Sequence, residues 1–143
     1  MIGGGHNKDP NADVIKTTEI IDLKGDGKSK YGPPLPWAFY EHCAVKMHGQ
    51  YVIVIGGIFK PTSTLFIDTW NVKNMFEGPP LLGVGRTGHA CEHIKHRNGS
   101  NYVIVTGGCP AGGCGVQIPP FDTTEILIVN DYEISSSRWV TGK

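Results

Sequence analysis

One stretch occurs twice in this chain and restricts its fold more than any other feature. Tyr51-Val52-Ile53-Val54-Ile55-Gly56-Gly57 returns 51 residues later as Tyr102-Val103-Ile104-Val105-Thr106-Gly107-Gly108, with a single substitution. Five β-branched or aromatic residues in succession read as a strand buried on both faces. The glycine pair ends it, since glycine takes positive φ at little steric cost. A truncated copy, Met1-Ile2-Gly3-Gly4, opens the chain at a similar spacing. Recurrence at about 50 residues predicts a repeat architecture.

Other features recur in register. Thr17-Thr18-Glu19-Ile20-Ile21-Asp22 is echoed by Ser63-Thr64-Leu65-Phe66-Ile67-Asp68 and by Thr123-Thr124-Glu125-Ile126-Leu127-Ile128. Gly32-Pro33-Pro34-Leu35 returns as Gly78-Pro79-Pro80-Leu81, and His42-Cys43-Ala44 as His89-Ala90-Cys91. The units span approximately 1–41, 42–87 and 88–143. The second predicts strands over 42–47, 51–55 and 64–69 and near 75–76. The third predicts them over 88–94, 102–106, 124–129 and 137–141. The first begins at its second strand and continues through 17–23 and around 30–31. Joins as short as 48–50 leave no room for a helical crossover, so neighbouring strands must be antiparallel. No segment sustains a helical period. Four-stranded antiparallel sheets repeated in this way make an all-β, propeller-like chain.

Composition agrees and excludes several classes of function. Twenty glycines and ten prolines in 143 residues suit short strands joined by turns. Thirteen basic and thirteen acidic residues give zero net charge, so no electrostatic footprint for nucleic acid is present. No apolar run approaches the roughly 20 residues of a membrane helix, and Gly3-Gly4-Gly5-His6-Asn7 after Met1 does not read as a signal peptide, so none is expected in this stretch.

These residues resemble the Kelch repeat, a hydrophobic strand ending in Gly-Gly, then a strand carrying Asp, then a Trp. Gly56-Gly57 and Gly107-Gly108 match the glycine pair, Asp22 and Asp68 the acidic position, and Trp139 the Trp, with Tyr31 and Phe76 as aromatic stand-ins. Arg86 with His89 matches an Arg-x-x-His preceding the next unit's strands, whereas Phe39 precedes His42. The resemblance implies two complete four-stranded blades plus three strands of another, a Kelch-type β-propeller segment. It also implies that further blades or self-association would close the propeller. Such modules bind protein partners, some for ubiquitination and some in organising actin.

An up-and-down sheet sends its second-to-third-strand loops and the links between units to one end. Residues 5–16, 58–63 and 109–122 and the links 33–41 and 79–87 are expected there. The opposite end is expected to carry 24–28, 48–50 and 95–100. Long loops on a rigid scaffold are where binding concentrates. Trp37, Phe59, Arg86 and Phe121 are therefore the expected partner-binding residues, with Trp37 equally suited to plugging the space between units. Arg86 is able to line a central opening or, the favoured reading, to pair structurally with a neighbouring unit's carboxylate.

The search for chemistry gives one metal candidate. His89, Cys91 and His93 share a strand face, and imidazole with thiolate suits zinc. The competing reading makes His89 the motif histidine and Cys91 a small buried residue. His42 and Cys43 are out of phase with it and no fourth ligand is at hand, so no metal and no cofactor are expected. Cys109 and Cys114 can form a small disulfide or remain reduced, and without a signal peptide the reduced pair is expected. Asn98-Gly99-Ser100 is a glycosylation sequon that also reads as a hairpin turn. No phosphate-cradling glycine loop, nucleophile elbow or carboxylate pair occurs, so no catalytic residue is expected. The function expected is a non-enzymatic, cytoplasmic protein-interaction module. The alternative is part of an extracellular propeller, a carbohydrate-active oxidase-like enzyme or an adhesion module.

Overall fold

In the computed structural model, residues 15–47, 49–131 and 133–142 are described, and ten short antiparallel strands organise them. β1 (Glu19–Ile21) pairs with β2 (Ser29–Tyr31) as a two-stranded sheet. β3 (Cys43–Lys46), β4 (Tyr51–Ile55), β5 (Thr64–Asp68) and β6 (Met75–Glu77) form a four-stranded sheet in sequence order. β7 (Ala90–Lys95), β8 (Asn101–Thr106), β9 (Thr124–Val129) and β10 (Arg138–Thr141) form the next. Among the described residues the fold is all-β, with a single 3₁₀ turn at Ile134–Ser136 joining β9 to β10. The opening Met1-Ile2-Gly3-Gly4 copy and His48 lie outside the described residues.

Alternation along the strands decides what packs on what. Ile53, Ile55 and Phe66 on one face of β3–β6 meet Val103, Val105, Leu127 and Trp139 on the facing side of β7–β10, and these residues form the larger core. On the reverse face of β3–β6, Val54, Leu65 and Ile67 cluster with Leu35 and Phe39 from the preceding link. The middle sheet is thus covered on both sides, which is why β5 is buried at every position. In β8 and β9 buried and half-buried residues alternate, as a sheet covered on one face requires.

The glycine pairs stand where a link crosses a strand end. Gly56 has φ of +63°, and a Cβ there would lie 2.5 Å from the Arg86 carbonyl oxygen and 2.7 Å from the His89 ring. At Gly108, φ +84°, it would meet the Thr87 carbonyl oxygen at 2.7 Å. Conformation and close approach both demand glycine.

Two findings differ from the sequence expectations. Both cysteine pairs are disulfides, Cys43–Cys91 and Cys109–Cys114, and no cysteine is free. The first links strands of successive sheets, whose α-carbons stand 6.0 Å apart across 48 residues of sequence. The aromatic stand-ins also shift. Trp139 lies opposite Leu127, and the matching partners of Ile67 and Ile21 are Met75 and Ser29, not Phe76 and Tyr31. Phe76 instead faces the intersheet core and stacks on Phe66 at 5.2 Å, while the Trp139 indole N–H donates to the Pro79 carbonyl at 3.0 Å.

Candidate functional site: the loop end of the sheets

Backbone hydrogen bonds knit the second-to-third-strand loops to the links. The Ile58 N–H donates to the Tyr40 carbonyl, Gly57 to Arg86, Arg86 to Pro61, Leu81 to Thr62, and Gly88 to Glu41. Thr87 and Cys109 exchange a reciprocal pair at 2.8 Å. Residues 33–41, 58–63, 79–87 and 109–122 therefore emerge at one end as a braced surface. The stretch 5–14 expected beside them lies outside the described residues.

Arg86 organises this end from beneath. It is 3 % exposed and makes an ion pair with Glu125, itself buried, at 3.2 Å. Its remaining N–H groups donate to the Gly107 and Thr123 carbonyls at 2.9 and 3.0 Å and to the Thr123 hydroxyl at 2.8 Å. One guanidinium thus ties both ends of the 107–123 loop to the strand below, with the Phe121 ring 5.0 Å from its centre. The second carboxylate oxygen of Glu125 accepts from the Leu82 N–H at 2.7 Å, fixing the link as well. A guanidinium's planar fork suits this multidentate role. Arg86 thus takes the carboxylate-pairing role foreseen for it and, at 3 % exposed, does not present its guanidinium to a partner, which corrects its place among the partner-binding residues.

The other three expected contact residues divide. Phe59 stands at a loop tip and is 52 % exposed. Phe121 is half-buried against Arg86. Trp37 is also half-buried, 5.7 Å from Phe39, with Lys60 Nζ 5.1 Å from its ring centre and its buried indole N–H without a partner. Its ring packs against the apolar cluster on the reverse face of β3–β6. While Leu23 and Trp70 are exposed at the opposite end, the exposed apolar residues on this end that sequence reasoning missed are Leu82, Val84, Val116 and Ile118. Their signal was present, since each sits among glycines or prolines where no strand can bury it. Val116 crowns a tight hairpin in which Gly115 and Ile118 exchange backbone hydrogen bonds, and the Cys109–Cys114 bond closes the loop's first half.

The expected metal alternative does not assemble. Cys91 is bonded to Cys43, so it offers no thiolate. The His93 Nε2 is 2.9 Å from the Asn101 side-chain oxygen, and the Asn101 amide donates to Asp131 at 2.6 Å. His89 is buried with both ring nitrogens lacking a well-formed hydrogen bond. Burial first, then the Arg86 charge, push its pKa down to about 4, against the nearby Ile55 and Arg86 carbonyls, which favour the charged ring. Burial also lowers the His42 pKa. Among the described residues no group of three or more His, Cys, Asp or Glu side chains is placed to hold a metal ion.

At the opposite end the acidic motif positions shape turns. Asp68 accepts backbone N–H bonds from Trp70 and Asn71 at 2.8 and 3.1 Å, and Asp22 accepts from Lys24 and Gly25 at 2.9 and 3.1 Å. For Asp68, desolvation opposes ionisation, but these bonds with those from Gln50 and Asn74 outweigh it and lower the pKa.

No protein-family model matches this chain, and no curated protein matches it at a significant level.

Proposed function

We propose that this chain is a Kelch-type propeller segment that binds a protein partner through the loop end of its sheets, without chemistry of its own. The observation that carries the reading is the set of exposed apolar side chains on that end: Phe59, Leu82, Val84, Val116 and Ile118. Isolated exposed hydrophobics are ordinary, but several on one face braced by backbone hydrogen bonds have the character of an interaction surface. Two successive four-stranded meanders in sequence order, packed face to face through a shared core, support the propeller reading.

A second observation bears on the compartment. Two disulfides persist more readily in an oxidising environment than in the cytosol, which favours the extracellular alternative for the same binding module. Thiol-specific labelling of protein taken from its native source tests this; four reactive cysteines would return the module to the cytoplasm.

Site-specific photocrosslinking tests the binding face. A benzophenone side chain at Phe59 or Val116 is expected to capture a discrete protein, and one at Lys73, on the opposite end, is not. Equal capture from both ends would refute the assignment.

A further inference from the structure

The face of β7–β10 turned away from β3–β6 carries an apolar field. The register sets Ile94, Tyr102, Ile128 and Arg138 in one row across the four strands, and Glu92, Ile104, Ile126 and Val140 in the next. Ile94 is 42 % exposed, and Tyr102, Ile104, Ile126, Ile128 and Val140 are half-buried. The matching face of β3–β6, with Tyr51, Ile53, Phe66 and Phe76 at the equivalent register, is the one that β7–β10 covers. An apolar sheet face of this kind is built to be packed against.

We propose that a second copy of this chain packs the same face against it, as a two-fold symmetric, sheet-on-sheet dimer. The inference rests on the fold and not on the partner-binding reading above. Two observations select this occupant. First, the type of face that covers the equivalent position within the chain is already buried in each copy, because Val103, Val105, Leu127 and Trp139 lie against β3–β6. Both faces of β3–β6 are likewise occupied. The two-stranded sheet offers only three-residue strands. Among the described residues, the comparable free face of a second copy is therefore this same one, and the contact is isologous.

Second, the charges on the face are self-complementary. Glu92 lies on β7 and Arg138 on β10, at opposite edges and in adjacent rows. A two-fold axis running along the strands keeps each row at its height and exchanges the two edges. Glu92 of one copy then stands over Val140 of the other, one row from Arg138. Rows on one face are about 7 Å apart, within reach of these long side chains. The symmetry makes two such pairs. Packed sheets lie about 10 Å apart, which the interleaved Ile and Tyr side chains would fill.

Four strands of this length cover roughly 400 Å² per copy, less than the roughly 800 Å² of a standard interface. An interface this small is expected to give weak, concentration-dependent association. Sedimentation velocity on the intact, disulfide-bonded chain, run from low micromolar to a few hundred micromolar, is expected to show a reversible monomer–dimer equilibrium. Two rim charge pairs reversed together weaken it roughly tenfold, so E92R alone and R138E alone should each shift the equilibrium toward monomer. Mixing the two variants should restore association, because both cross-pairs become attractive in the mixed dimer. Both positions are exposed, so each variant can be checked for the unaltered fold by its unfolding midpoint. A monomer at every concentration, a dimer indifferent to both substitutions, or masses growing beyond the dimer would overturn the proposal.

Discussion

At the residue scale, His89 makes stability depend on pH in a defined window. Its folded pKa of about 4 lies below the unfolded value of 6.5. Above pH 6.5 both states are neutral there and the site imposes no penalty. As pH falls from 6.5 toward 4 the unfolded chain takes up a proton that the buried ring does not, and folding weakens by about 3 kcal/mol in total. His42, also lowered by burial, adds in the same direction. Asp68 acts at lower pH: its depressed pKa stabilises the fold above the ordinary carboxylate value and loses that effect below it. Urea midpoints measured from pH 7.5 to 4 should therefore fall, and His89→Gln should flatten most of the decline while lowering stability at pH 7.5. An unchanged slope in the variant would remove His89 as the cause. The sequence marked this histidine through its repeat position. It could not show that neither ring nitrogen finds a well-formed bond, because that depends on where the Arg86–His89 link crosses Gly56.

At the element scale, the two four-stranded sheets solve one packing problem with different chemistry. Arg86 and Glu125 form a buried ion pair where the link meets the third strand of β7–β10. The equivalent places in the preceding unit hold Phe39 and Leu65, which pack together in an apolar cluster. Breaking a buried pair from one side costs about 3–5 kcal/mol, whereas a well-packed apolar substitute is often neutral. Arg86→Phe and Glu125→Leu should each destabilise by that amount, and the double substitution should recover most of the loss, giving a coupling energy above about 2 kcal/mol in a double-mutant cycle. Additive losses would show that the units are not interchangeable here. Strand order and antiparallel pairing were legible at this scale, because the Tyr-Val-Ile-Val strands and the short joins leave one arrangement. The fourth strands were not. They are short edge strands following turns of unequal length, 69–74 against 130–137, so spacing alone put Phe76 and Tyr31 where the register puts Met75 and Ser29. For Arg86 the sequence suggested a carboxylate partner but not which one, because Glu125 lies 39 residues away in the chain.

For the whole molecule, the larger core decides cooperativity. Its residues come from both four-stranded sheets, and Cys43–Cys91 adds a covalent tie between their first strands. Neither sheet can unfold without exposing the other's Ile, Val and Trp side chains, so a single transition should be seen by tryptophan fluorescence and far-ultraviolet circular dichroism together. The disulfides, absent from the expected reduced state of the chain, differ in weight because they close loops of different length. In the chain-entropy model a separation of 48 residues gives about 4 kcal/mol, and a separation of five about 2 kcal/mol. Cys43→Ala with Cys91→Ala should thus lower the unfolding midpoint well beyond Cys109→Ser with Cys114→Ser. The first pair leaves the transition single, because the apolar contacts between sheets remain. The second acts mainly on the loop that carries Val116 and Ile118, and should impair partner capture at Val116 more than it impairs stability. Two separate transitions in the Cys43→Ala, Cys91→Ala protein would mean that the disulfide, and not the shared core, unites the sheets.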